Sequence, residues 1–247
     1  MEVRDYYREI LPFYDLELAD RGDGELWAWA ASVPPGCRVL ELGAGTGRAT
    51  AALARTAGKV VALELAPEMI AVAHRKLAGR SNVQLVAADM RDSPLRSAFD
   101  LVAAIDDPFV HLTEDEDRER AFATAAGHLV PGGRFLLDAA WLAPDQRHAA
   151  GNPEGLVKEN SGKGGLSVRE TWRCDPTTRR CTASYEYFVQ GRRVREASFP
   201  ARLWSREELE HRARAAGLQI AYLWGDYDRR PWDRATSPRL VAELRRD

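Results

Sequence analysis

The chain has 247 residues, enough to bury a full core in one medium domain or in one domain with an insertion. A formal net charge of -2 argues against a polyanion-binding protein, and no apolar run approaches the roughly 18 residues that span a bilayer. The charged N-terminus MEVRDYYREI lacks the apolar core of a signal peptide, so a cytoplasmic protein is expected.

Apolar spacing in YYREILPFYDLEL and GELWAWAASV predicts two N-terminal helices, with Pro12 breaking or kinking the first. CRVLEL then reads as a buried strand, RATAALARTAG as a helix stopped by Gly58, KVVALE as a strand and APEMIAVAHRKLAG as a helix. NVQLVAAD and FDLVAAI are further strands, EDEDRERAFATAAGHL is a helix, and GGRFLLDAA is a fifth strand behind the turn PGG. Strands apolar throughout, alternating with helices, imply a parallel sheet covered on both faces.

From Pro144 to Gly165 turn-forming and polar residues dominate, and a loop is expected. LSVRETWRC, CTASYEYFVQ and RRVREASFP follow as an antiparallel meander. The helix SREELEHRARAAG has Ser205 as its cap and Glu208 completing a capping box, and the strands LQIAYLWG and SPRLVAELR close the chain. Cys37, Cys174 and Cys181 have no metal-ligand spacing, so no metal is expected. Cys174 and Cys181 flank a probable hairpin turn, but free thiols are expected in a cytoplasmic chain.

The stretch VLELGAGTGRAT places a glycine turn between a strand and a helix, where backbone N–H groups meet ligands. A dinucleotide fingerprint needs a small residue where Arg48 stands, and Glu41 would repel a pyrophosphate while suiting an ammonium. Glu64 ends the second strand as an acceptor for ribose hydroxyls; Asp89 is placed to take an exocyclic amine, with Met90 against a base. These features together suit S-adenosylmethionine.

On LELGAGTGRAT, VVALELAPEMI, VAADM, FDLVAAID and LVPGGRFLLD, in that order, the chain resembles the class I S-adenosylmethionine-dependent methyltransferases from about Cys37 to Asp138. The resemblance implies an α/β fold: a Rossmann-like, doubly wound seven-stranded sheet with an N-terminal helical lid and a small antiparallel insertion. It implies a lid over 1–36, a cofactor-binding core over 37–143, a substrate-covering insertion over 144–200 and completion of the core over 201–247. It implies cofactor contacts by Tyr14, Glu41, Gly43, Ala44, Gly45, Gly47, Glu64, Leu65, Asp89, Met90 and Ile105.

FYDL, the meander and the C-terminal tail are similar to amino-sugar N-methyltransferases and glycine N-methyltransferase, in which a tyrosine of the N-terminal segment lies near the methionine moiety; Tyr14 matches it, and Tyr6 and Tyr7 are alternates. The loop after the fourth strand offers Asp106, Asp107 and His111. His111 is a candidate base, Tyr14 and Asp106 are further catalytic candidates, and an aspartate of this pair is a candidate amine contact. Tyr7, Asp107, Trp141, Tyr185 and Tyr187 are candidate acceptor contacts. The expected reaction is methyl transfer to nitrogen or oxygen of a small molecule of secondary metabolism, by a monomer or homodimer that binds neither nucleic acid nor membrane. A tRNA or protein acceptor, an inactive binding module and a nicotinamide-dependent dehydrogenase are the alternatives.

Overall fold

In the computed structural model, which describes residues 3–20 and 32–246, two β-sheets organise the chain. Helix α1 (Val3–Glu17) precedes β1 (Arg38–Leu42), α2 (Arg48–Leu53), β2 (Lys59–Glu64), α3 (Pro67–Lys76), β3 (Val83–Ala87) and β4 (Phe99–Ala104). Then come α4 (Asp115–Gly127), β5 (Leu129–Ala139), α5 (Pro144–Ala150), β6 (Leu156–Ser161), β7 (Leu166–Cys174), β8 (Arg180–Val189) and β9 (Arg192–Arg202). Helix α6 (Arg206–Ala215), β10 (Leu218–Trp224) and β11 (Leu240–Arg246) end it.

The large sheet has the order β10-β11-β5-β4-β1-β2-β3, parallel from β1 to β5, with β11 antiparallel to both neighbours. Val39, Leu40, Leu42, Val60, Leu63 and Leu101 are fully buried, as strands covered on both faces require. After β1 the chain proceeds outward through β2 and β3, then returns to place β4 on the other side of β1. This reversal opens a crevice at the carboxyl ends of β1 and β4, the position where such sheets bind ligands.

Strands β6 to β9 form the antiparallel meander. Its inner face, including Val168, Trp172, Ala183, Tyr187 and Phe199, packs beneath α1. Tyr6 meets Phe199 at 4.6 Å between ring centroids, and Phe13 stacks on Tyr187 at 5.0 Å. Pro12 does not break α1, because tertiary contacts outweigh its missing N–H. Arg195 pairs with Glu9 at 2.6 Å, and Asp15 takes Thr46 Oγ1 at 2.8 Å and Lys76 Nζ at 2.5 Å. The predicted helix over 24–33 lies largely outside the described residues.

Several local expectations are corrected. The segment after Pro144 is not a loop: Pro144 opens α5, where Gln146 Oε1 accepts the Ala143 N–H at 3.1 Å, and the polar edge strand β6 shows no apolar alternation to announce it. Helix α2 ends at Leu53, before Gly58. Cys174 and Cys181 are not free thiols; the β7–β8 register sets them directly opposite, and they form a disulfide, while Cys37 is free.

Ser205 Oγ does accept the Glu208 N–H, but the Glu208 carboxylate does not complete a capping box. It is taken by Arg118, Arg179, Arg202 and Arg212 at 2.8–3.2 Å. Arg118, wholly buried over the Trp204 ring, also donates to the carbonyls of Leu112 and Arg202. One ion cluster thereby ties α6, β9 and the loop after β4 together. The basic residues of the meander are likewise paired: Arg180 with Glu114 at 2.7 Å and Arg193 with Glu186 at 2.9 Å.

Candidate active site

The turn after β1 carries three glycines with left-handed backbone: Gly43, Gly45 and Gly47, at φ 80°, 54° and 82°. A Cβ on Gly43 would stand 2.6 Å from Pro108 Cβ, and one on Gly47 would stand 2.8 Å from Leu77 Cδ1. The first glycine therefore lets the loop after β4 approach, and the third lets α2 pack on α3. Gly45 differs, since its N–H donates to Glu64 Oε2 at 2.8 Å.

Glu64 also accepts the N–H groups of Leu65 and Ala66 on Oε1, both at 2.8 Å. Three of roughly four acceptor directions are used, leaving one on Oε2 for a ligand hydroxyl. Burial raises its pKa against the lowering effect of these bonds. Glu41, only 2% exposed, accepts Thr50 Oγ1 at 2.6 Å, and burial pushes its carboxyl up to about 8. Asp89 is gripped by Arg91, whose backbone N–H donates at 2.8 Å and whose Nη2 donates at 2.6 Å. Burial acts to raise the Asp89 pKa, but Arg91 outweighs it and the carboxyl lies below its ordinary range.

These groups surround a cavity of about 390 Å³ at the carboxyl ends of β1 to β4. Tyr14, Glu41, Gly43, Ala44, Gly45 and Glu64 line it, as do Leu65, Asp89, Met90 and Ile105. Gly47 does not; it serves helix packing. Arg91, which sequence reasoning missed, also lines it.

A second cavity of about 680 Å³ lies between the crevice, α1 and the meander. Tyr7, Tyr14, Asp106 and His111 line both cavities and so mark their junction. Asp107, Trp141 and Tyr185 line only the second. Tyr187 lines neither: although its ring stacks with that of Tyr185, it is wholly buried under Phe13 and donates to Glu17 at 3.1 Å. Further lining groups were not singled out from sequence, among them Glu17, Asp138, Glu170 and Arg239. Asp138 alone had a signal, its place at the end of β5.

Asp106 and Asp107 occupy consecutive left-handed positions, φ 62° and 59°, a strain of about 1–3 kcal/mol each that cavity-lining turns commonly store. They lead into the single 3₁₀ turn Pro108–His111. Tyr7 Oη and His111 Nε2 lie 2.7 Å apart and share a hydrogen bond. Burial lowers the His111 pKa to about 4, so the ring is neutral at physiological pH. A profile of kcat/KM against pH should therefore show no histidine step near 6.5 and an acid limb only near 4; a limb between about 6 and 7 would contradict this placement.

Residues 39–133 match the family described as a methyltransferase domain. The chain is 30% identical over 241 residues to a cypemycin N-terminal methyltransferase of a Streptomyces species, covering 96% of both chains. The chain is an S-adenosylmethionine-dependent methyltransferase. The enzyme is also 28% identical over 232 residues to dTDP-3-amino-3,6-dideoxy-alpha-D-glucopyranose N,N-dimethyltransferase of Streptomyces fradiae, covering 90% of this chain and 88% of that one. Its fold is shared with the CcbJ methyltransferase of Streptomyces caelestis, at a TM-score of 0.83 and 24% identity over 98% of this chain and 97% of that one. The fold is the seven-stranded class I arrangement with an added antiparallel sheet, and the methyl donor is S-adenosylmethionine. Among the described residues no helix is long and apolar enough to cross a membrane.

Proposed function

We propose that the enzyme methylates an amine nitrogen of a small natural-product acceptor held in the larger cavity. The observation that carries this reading is the lining of that cavity: Glu17, Asp106, Asp107, Asp138, Glu159 and Glu170 face only Lys158 and Arg239 as cations. A carboxylate-rich chamber suits a molecule that arrives as an ammonium. The two relatives named above support it, since one acts by name at a peptide N-terminus and the other on an amino sugar.

In this reading the smaller cavity holds the cofactor. Glu64 accepts ribose hydroxyls, Glu41 faces the ammonium of the methionine part, and Asp89, Leu65 and Met90 contact the adenine. The buried Glu41 carboxyl and the open acceptor direction on Glu64 fit such a ligand. When bound, S-adenosylmethionine supplies a methyl group already activated on a sulfonium.

The chain's task is then to place a neutral amine in line with that methyl and to exclude water. Positioning of this kind is worth effective molarities of roughly 10⁵–10⁸ M in favourable cases. Tyr7, Tyr14 and Asp106 stand at the junction where the amine is aligned, and neutral His111 fixes Tyr7 through their shared hydrogen bond. Residues 1–36 act as the lid, 37–143 with 201–247 as the core, and 144–200 as the acceptor cover. The enzyme works in the cytoplasm as a monomer or homodimer. A tRNA acceptor gains no support from the meander, whose Arg179, Arg180, Arg193 and Arg195 are paired with carboxylates.

The test uses matched probes: glucosamine against glucose, and a short peptide with a free against an acetylated N-terminus. Mass spectrometry should find methylated product only from the amine member of a pair. Methylation of the hydroxyl or acetylated member instead would overturn nitrogen as the accepting atom.

A further inference from the structure

The opposite end of the acceptor cavity has a different chemistry from the carboxylates at the junction. Trp141 follows β5, lines the cavity and is 7% exposed. The Arg147 guanidinium, on α5, lies over its ring at 4.7 Å, and the Trp232 ring packs edge-on against it at 5.1 Å between centroids. Trp141 Nε1, Arg147 Nε and Trp232 Nε1 are all buried, and none has an acceptor among the described residues. Indole and guanidinium N–H groups donate and cannot accept. Three unsatisfied donors around one ring are therefore a local deficit of acceptors, in a class of group that folded proteins nearly always pair.

No carboxylate balances this wall. No ion pair involves Arg147 among the described residues; the carboxylate that acts on it electrostatically, Glu207, is bound by Arg234. Arg234 and Arg179 add like charge nearby, and Arg206 approaches the far Trp232 ring at 5.9 Å. Burial lowers the Arg147 pKa first, and these two arginines lower it further, which is the field an anion would relieve. Lys158, from β6, lines the same cavity and has no partner among the described residues.

We propose that Trp141, Arg147 and Trp232 form an oxyanion-recognition wall, so that the acceptor is an ampholyte carrying a carboxylate or phosphate group remote from the amine it presents for methylation. A carboxylate or phosphate brings several acceptor lone pairs and a negative charge, supplying what the three donors lack. A neutral hydroxyl brings a proton of its own and no counter-charge. The inference rests on the larger cavity being the acceptor chamber, and it deepens the amine reading by naming a second group on the substrate.

Trp141 and Trp232 report directly on the wall. Tryptophan fluorescence of the full chain is titrated with inorganic phosphate and, separately, with acetate, against sodium chloride at matched ionic strength. A saturable response to at least one oxyanion is expected, and which one responds tells phosphate from carboxylate. Arg147→Gln should weaken that response at least about tenfold while leaving S-adenosylhomocysteine affinity unchanged. Trp232→Phe, which keeps a ring and removes one N–H, should weaken it less and serves where Arg147→Gln fails to fold. No saturable response above chloride, or equal affinity in the folded variants, overturns the wall. Because no turnover is read, that failure would leave amine methylation standing, whereas failure of the paired amine probes would leave this binding result intact.

Discussion

Replacing Glu208 by alanine should destabilise the enzyme by about 3–5 kcal/mol, which lowers the melting temperature of a chain this size by about 10 °C or more. The loss comes less from the bonds removed than from what they leave behind. Arg118, with no exposed surface, would keep its charge without a carboxylate, beside Arg202 and Arg212, which are themselves mostly buried. Burial already pushes Arg118 down to about 10. For Glu208, burial raises the pKa but the arginines outweigh it, and its folded value lies below the ordinary 4.5. Its contribution is thus complete at neutral pH and lost as pH falls through that lower value. Thermal melts at pH 7 check the effect, and a shift of less than about 2 °C would contradict it. Activity should fall too, because Arg118 holds the Leu112 carbonyl at the end of the turn that carries His111.

The second large effect has the opposite sign. Glu41→Gln should stabilise the ligand-free enzyme. The Glu41 carboxyl ionises near 8 when folded and near the ordinary 4.5 when unfolded, so between those values the folded chain binds more protons. Stability is then fully present below about 4.5 and declines by about 1.4 kcal/mol per pH unit until about 8. By pH 7 the decline amounts to about 3 kcal/mol, which a neutral glutamine avoids while its amide oxygen still accepts from Thr50. Melts from pH 5 to 8 should show the variant gaining steadily over the wild type, and parallel curves would refute it. The same change should weaken S-adenosylhomocysteine binding by about 1–3 kcal/mol, through the lost charge-assisted contact. Burying an unpaired acid at this cost is the pattern of a group kept for a ligand rather than for the fold.

What the sequence made legible was local. The glycine turn, Glu64 and Asp89 sit at strand ends whose apolar runs and flanking turns can be read directly, and the structure sets them around one cavity. Tyr185 and Tyr187 show where such reading stops. Alternation correctly puts them on one face of β8, but only the packing of Phe13 from α1 decides that one opens to the cavity and the other is sealed. Register decides the disulfide in the same way: Cys174 and Cys181 flank a turn that could hold thiols or a bond, and direct opposition across β7 and β8 settles it. Glu208 was read as a capping partner because its neighbours in sequence suggest that role. Its four arginines come from α4, β9, the β7–β8 turn and its own helix, a convergence invisible along the chain. His111 kept its place at the junction, yet its hydrogen bond to Tyr7, 104 residues away, makes it a support rather than a ready base.

The most direct test of the account is calorimetric titration of the enzyme and of Glu64→Ala with S-adenosylhomocysteine. The account predicts micromolar binding to the wild type and a loss of about 1–3 kcal/mol in the variant, as one acceptor of charge-assisted hydrogen bonds is removed. Equal affinity in the two proteins, or no binding to either, would contradict the placement of the cofactor against Glu64 and the site built around it.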